Sequence, residues 1–400
     1  MPINMINLIY SYITLYGLLI LFYTSMQLFF AQLNSKKQNS FKLRSIDSES
    51  KLSVTVIIPC YNEDPNLLES CLKSIENQQI SGRLNTIVVD DGSKNIKELL
   101  PVFNKYQKKP NFEVFIFEKN KGKRIAQKLG FDRATGDIIV TIDSDTIIDP
   151  INGINNIIKQ FNNPRVGAAT GDVKVLNKDE NLLTKLILYR YWIAFNQERA
   201  AQSNFSAVMC CSGPFSAYRR SIIEKIKEQY ITQTFLGHVS TYGDDRHLTN
   251  LVLQDGHAVR FEKNAIAYTH VPSTIKTYIK QQIRWNKSFY RELLWTLKNV
   301  PTRHFYMVYD MLMQLILPYM SLITMASIIY TALFVNIRIA LIYMLLLFLI
   351  STARLAYGIY RTGDLGFMLF ITYSFIHVIF LMPSRLYALS TLEENGWNTR

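Results

Sequence analysis

Three acidic or polar clusters in the chain share one setting, each closing a run of apolar residues. "VTVIIPCYNED" (54–64) ends on Tyr61 and Glu63, "TIVVDDGS" (86–93) on Asp90 and Asp91, and "GDIIVTIDSDT" (136–146) on Asp143 and Asp145. The DSD spacing puts two carboxylates on the same side of an extended chain, because side chains alternate with period two. Hard oxygen ligands so placed suit Mg2+ or Mn2+ bridging a diphosphate; the bland alternative is a polar strand end. Lys123 and Arg124 in "NKGKR" could neutralise phosphate oxygens, or could simply open a solvated helix. In "QQIRW", Gln281, Arg284 and Trp285 stand at i, i+3 and i+4, on one face of a helix. An arginine beside a tryptophan can hold a diphosphate or stack on a sugar ring, and the same pair can merely anchor a helix at a membrane interface. "GDDRHLTN" (243–250) sets Asp244 and Asp245 next to each other; alone, the pair is as readily loop decoration as chemistry, and His247 reads as structural.

These residues need a frame to bring them together. Val54, Val56 and Ile58 belong to a buried strand expected to stop at Pro59, and helical stretches follow at 66–78 and 123–134. Strand–helix–strand alternation predicts a mostly parallel, doubly wound α/β sheet with flanking helices, which binds ligands at the carboxyl ends of its strands. All three clusters fall at such ends. Ser212, Gly213 and Pro214 form a tight turn between buried elements, and 181–204 reads as an amphipathic helix covering a core. In 273–300, apolar positions recur at helical spacing among Lys276, Lys280, Arg284, Lys287, Arg291 and Lys298, the profile of a helix lying on a membrane surface.

Composition sets the wider limits. The 400 residues carry a formal charge of +13, are 48% hydrophobic and only 19% charged. Residues 8–30 hold no charge and are long enough to cross a bilayer, without the basic start and small-residue cleavage site of a secretory signal. Met311 to Val335 is a second such run, and Leu365 to Pro383 another that could span or lie in the interface. The run from Ile339 meets Arg354 and spans only if that arginine snorkels. Lys36, Lys37, Lys42 and Arg44 follow the first span, which places the middle of the chain in the cytoplasm and the protein in the plasma membrane as a multi-pass chain. Residues 34–51 look like a polar linker. Cys60, Cys71, Cys210 and Cys211 lack metal-site spacing and read as free thiols. The basic residues are dispersed and no nucleic-acid motif appears, so anionic lipid and a phosphorylated substrate account for the charge better than nucleic acid does. There is no P-loop and no GxGxxG after a strand, against kinase and dehydrogenase readings.

With "VDDGS", "DSD", "GDD" and "QQIRW" in this order, the chain resembles the processive family-two glycosyltransferases of GT-A fold. It is most similar to the bacterial class I hyaluronan synthases, through "NKGKRIAQ", "ERAAQS", "CSGPFSAYRR", "QTFLG", "GDDRHLTN", "IKQQIRWNKSFYRE" and "WNTR". Chitooligosaccharide synthases of the nodulation type share "ERAAQS", "AVMCC", "YRRS", "DRHLT" and the QxxRW motif; "QTFLG" and "RWNKSFYRE" favour the hyaluronan synthases. The single amino-terminal span, however, is the chitooligosaccharide synthase arrangement. The resemblance implies an inverting polymerase using UDP-GlcNAc and UDP-GlcA that exports its chain across the membrane, or alternatively a chitin-type synthase using UDP-GlcNAc alone. It implies that Tyr61, Glu63 and Asp90 or Asp91 contact uridine, and that Lys123 and Arg124 approach the nucleotide. Asp143 and Asp145 would line a Mg2+ or Mn2+ site, with Asp145 the more direct ligand. Ser212, Gly213 and Pro214 would shape the acceptor end, Gln281, Arg284 and Trp285 would close over diphosphate and acceptor, and Asp245, supported by Asp244, would be the general base. The expected domains are an anchor (1–33), a GT-A domain (34–272), an interface helix (273–306) and a membrane region (307–400).

Overall fold

In the computed structural model the described residues are 3–44, 52–151, 153–241, 243–299 and 303–394; the closing "WNTR" lies outside them. The sheet strands are β1 (Val54–Cys60), β2 (Leu84–Asp90), β3 (Phe112–Ile116), β4 (Ile138–Ile142), β5 (Thr146–Ile148), β6 (Val166–Val175), β7 (Phe215–Arg219) and β10 (Ala258–Thr269), while β8 (Thr234–Phe235) and β9 (His238–Val239) form a separate hairpin. They lie in the order β3-β2-β1-β4-β7-β6-β10-β5. β1 pairs in parallel with β2 and β4, β2 with β3, and β6 with β10; β7 runs antiparallel between β4 and β6, and β5 antiparallel along β10. This is the expected mostly parallel α/β sheet of a GT-A fold. β1 is buried along its whole length, as a central strand covered on both faces must be. It continues past Pro59 to Cys60, because pairing with β4 has ended at Ile57 and the missing proline N–H leaves no gap in that ladder.

The helices are α1 (Ile3–Arg44), α2 (Pro65–Glu76), α3 (Ile96–Gln107), α4 (Lys123–Arg133), α5 (Ile154–Ile158), α6 (Leu182–Ile193), α7 (Ala200–Asn204), α8 (Arg220–Ile231), α9 (Asp244–Gln254), α10 (Ile275–Arg291), α11 (Leu293–Asn299), α12 (Phe305–Phe334) and α13 (Ile337–Thr362). The strand order turns between β1 and β4, since β1 leads outward to β2 and β3 while β4 leads to β7. That switch point opens a crevice at the carboxyl edge of the sheet.

Among the described residues, four helices are long and apolar enough to cross a membrane: Asn7–Gln38, Phe305–Phe334, Ile337–Thr362 and Leu365–Ser390. The last is broken into 3-10, α and π turns. Three expectations change. The polar stretch after the first span is no extended linker as far as it is described: α1 continues to Arg44, and its Ser35 and Gln38 bond to β10. Arg354 does not snorkel outward; its guanidinium donates to Gln27 Oε1 of α1 at 3.2 Å. The basic residues of α10 are not all on a lipid-facing side, because Lys287 and Arg291 are buried, donating to Glu394 Oε2 and to the Leu392 carbonyl.

Candidate active site

The loop after β1 turns sharply into α2, whose Pro65 start is capped by Asp64 accepting from the amides of Asn66 and Leu67. Tyr61 is left facing the crevice. After β2, Gly92 holds a φ of +72°, and a Cβ there would meet the Asn120 nitrogen at 2.5 Å; only glycine lets the two loops press together. Asp91 fastens that contact, accepting from the Lys121 and Gly122 amides at 2.7 and 2.9 Å and from Asn120 Nδ2 at 2.9 Å. Lys123, the first residue of α4, is thereby aimed into the crevice.

Lys123 Nζ lies 2.7 Å from Asp143 Oδ1 and 3.1 Å from Asp244 Oδ2, linking the end of β4 to the start of α9. Gly213 lies against this pair: a Cβ would stand 3.0 Å from Asp143 Oδ2 and 3.3 Å from Lys123 Nζ. Asp145 is steadied from β10 by the Thr269 hydroxyl at 3.3 Å. Burial works against ionisation of Asp244, but Lys123 and Arg124 outweigh it and hold its carboxyl below the ordinary range. Asp245 goes the other way: burial and the adjacent Asp244 charge push it up. Its Oδ1 accepts the Arg246 amide at 2.8 Å and its Oδ2 the Cys210 thiol at 3.5 Å. A carboxylate raised in this way, beside another kept ionised, is suited to take a proton.

One cavity of about 1910 Å³ connects these groups. It is lined by Tyr61, Asp91, Lys123, Arg124, Asp143, Asp145, Ser212, Gly213, Pro214, Asp244, Asp245, Gln281, Arg284 and Trp285, and continues between the apolar helices past Tyr23, Gln314, Thr324 and Arg354. Two residues named for the uridine, Glu63 and the alternative Asp90, do not line it. Glu63 is buried away from the cavity, its Oε2 accepting the Ser144 hydroxyl at 2.7 Å, so it braces the DSD turn from behind. Asp90 is fully buried and spent on the Ser93 amide and hydroxyl, closing its own turn. Arg124 reaches the wall but donates to the Tyr230 carbonyl at 3.1 Å and lies over the Tyr230 ring, acting on the site through Asp244.

The segment 181–204 does more than cover a core. It runs through a π turn (Ala194–Arg199), and Tyr191 stands 6.4 Å from Trp285, ring centre to ring centre, forming an aromatic wall with it. Arg199 donates to the Cys210 carbonyl at 3.1 Å and so fixes the residue whose thiol meets Asp245. Helical periodicity carries no sign of this, because a π turn shifts the faces of the helix; "ERAAQS" was the one signal.

Among the described residues no group of three His, Cys, Asp or Glu stands close enough to hold a metal. Asp143 and Asp145 both reach the cavity wall and offer the carboxylate oxygens that a hard divalent cation of the Mg2+ or Mn2+ kind prefers; such an ion commonly takes one or two carboxylates and completes its shell with substrate phosphates and water.

The model for "Glycosyl transferase family 2" matches residues 55–227. An N-acetylglucosaminyltransferase of Neorhizobium galegae is 38% identical over 388 residues, covering 97% of this chain and 89% of the relative. One of Sinorhizobium fredii (strain NBRC 101917 / NGR234) is 37% identical over 389 residues, covering 97% and 93%. Among solved structures, the mannosyltransferase PcManGT from Pyrobaculum calidifontis, in complex with GDP-Man and Mn2+, superposes with a TM-score of 0.61 at 18% identity, over 96% of this chain and 100% of that one. At that identity the likeness speaks for the fold.

Proposed function

The chain belongs to glycosyl transferase family 2 and is a glycosyltransferase; within that family we propose that it is a membrane-embedded, inverting N-acetylglucosaminyltransferase building β-linked GlcNAc oligomers from UDP-GlcNAc alone. The observation that carries this is similarity along 97% of the chain to proteins named N-acetylglucosaminyltransferase. The hyaluronan expectation gives way to it, since nothing in those names calls for UDP-GlcA.

In this reading Tyr61 and Asp91 border the uridine, and Lys123 and Arg284 offset the negative charge of the departing diphosphate. A divalent ion held by Asp143 and Asp145 would, when bound, supply further positive charge to the same phosphates. Trp285 and Tyr191 give the acceptor sugar an aromatic wall, and Ser212–Pro214 limits its approach. Asp245 takes the proton of the acceptor hydroxyl as that oxygen bonds to C1 of the donor. The bond from C1 to the diphosphate oxygen breaks, UDP leaves with the electron pair, and an α donor becomes a β link. The growing chain enters the part of the cavity between the apolar helices. Those helices contact membrane lipids, with an anchor at 1–33, the catalytic unit at 34–272 on the cytoplasmic side, the QxxRW helix at 273–306 and a membrane region at 307–400.

Purified full-length protein given Mn2+ and UDP-GlcNAc alone is expected to yield chitinase-sensitive oligomers by mass spectrometry. Product that forms only when UDP-GlcA is added, and that a hyaluronan lyase degrades, would overturn the proposal.

A further inference from the structure

The base-bearing helix α9 and the QxxRW helix α10 meet along a seam that the chemistry above does not use. Gly243, at φ +77°, lies so close to α10 that a Cβ there would fall 2.5 Å from Ser288 Oγ. One turn on, the Arg246 guanidinium lies over the Phe289 ring at 5.4 Å. Next, His247 Nδ1 stands 3.1 Å from Glu292 Oε2, with both side chains fully buried. Residues 243, 246 and 247 thus share one face of α9 and meet 288, 289 and 292.

Glu292 is the hub. Asn250 Nδ2 donates to its Oε2 at 3.1 Å and Gln233 Nε2 to its Oε1, so the carboxylate gathers donors from α9 and from the segment leading into the β8–β9 hairpin. It caps α10 and immediately precedes α11, one heptad beyond Trp285. A buried carboxylate with this many directed bonds has one geometry in which all are satisfied, and slippage of either helix orphans a charge. The Nε2 of His247 has no partner among the described residues. Nδ1–H donation with a bare Nε2 therefore leaves no stranded N–H.

We propose that Glu292 and His247 are positioning residues that fix the register of α9 against α10, and so set the Asp245 carboxylate against the acceptor wall at Arg284 and Trp285. The inference rests on the transferase reading. Its signature is coupling: donor cleavage needs the nucleotide site, but transfer to sugar also needs Asp245 and Trp285 in register. Loosening the seam therefore lets water replace the acceptor hydroxyl.

The experiment uses full-length protein in detergent, measuring UDP released and GlcNAc transferred to a chitooligosaccharide acceptor. Wild type should give a ratio near one. Glu292→Gln should keep UDP binding and thermal unfolding close to wild type, lower transfer about 10–100-fold, the cost of a misplacement of about 1 Å, and raise the UDP-to-transfer ratio. His247→Gln should do the same, and the double variant, whose amides can pair with each other, should recover part of the coupling. If both single variants lose UDP release and transfer in equal proportion, or lose neither, the positioning role is refuted. Should Glu292→Gln fail to fold, His247→Gln decides alone. A wild type that transfers no GlcNAc sinks the transferase reading instead, an outcome distinct from either.

Discussion

Replacing Lys123 with methionine removes a cation that contacts both Asp143 and Asp244, at 2.7 and 3.1 Å. An opposite charge this close moves a carboxyl by about 1–3 pH units. Asp244, in direct contact, should feel the upper part of that range. Asp245 is already raised by burial and by Asp244, and is held down in part by Lys123; without that cation it should rise further. The base works as the carboxylate, so activity is present above its folded pKa and lost as pH falls through it. A raised pKa therefore moves the acidic limb of the rate profile to higher pH. The assay is kcat for GlcNAc transfer to a chitooligosaccharide acceptor against pH at saturating UDP-GlcNAc and Mn2+, for wild type, Lys123→Met and Lys123→Arg. The methionine variant should shift the limb upward, and the arginine variant, keeping the charge, should stay near wild type. A methionine variant whose rate falls while its limb stays put, or moves to lower pH, would refute the view that Lys123 tunes the base.

Two other outcomes follow from contacts behind the cavity wall. Gly92→Ala forces a side chain into the Asn120 backbone at a positive φ; it should lower stability by about 1–3 kcal/mol, seen as a drop in the unfolding temperature of the detergent-solubilised protein, and an unchanged temperature would mean that the two loops are not locked together. Glu63→Ala removes the brace on Ser144 without touching the cavity. It should raise the Mn2+ concentration for half-maximal activity about tenfold, as loss of an outer-shell partner does, and an unaltered requirement would show that Glu63 has no part in shaping the DSD turn.

Much of the site was legible because strand ends are legible. Apolar runs closing on Tyr61, Asp91 and Asp143 mark the carboxyl edge of a parallel sheet, and the fold has no other place for them. What stayed hidden was which of two neighbouring polar groups turns inward. Asp90 and Asp91 are adjacent and alike, yet Asp90 closes its own turn while Asp91 clasps the 120–122 loop; only tertiary contact separates them. The basic spacing of α10 suggested lipid, whereas the partners of Lys287 and Arg291 come from a segment a hundred residues later. "QTFLG" and "RWNKSFYRE" favoured hyaluronan, while the relatives along the chain are named N-acetylglucosaminyltransferases; in the structure several residues of these two motifs pack elements together. Gln233 bonds to Glu292, Arg291 lies over Phe235, and Ser288 and Phe289 pack on α9. These residues hold helices in place, and Arg284 and Trp285 of the same motif face the cavity.

Helix α1 has 42 residues and so reaches about 63 Å, roughly twice the hydrocarbon depth of a bilayer. Its carboxyl-terminal part is bonded to the sheet: Ser35 and Gln38 grip β10 at Lys263 and Phe261. β10 ends in Thr269, which steadies Asp145. The helix that is apolar enough to cross a bilayer is thus the same unbroken element that holds the strand beneath the acidic pair, so the catalytic edge is joined to it by directed hydrogen bonds and not by a slack tether.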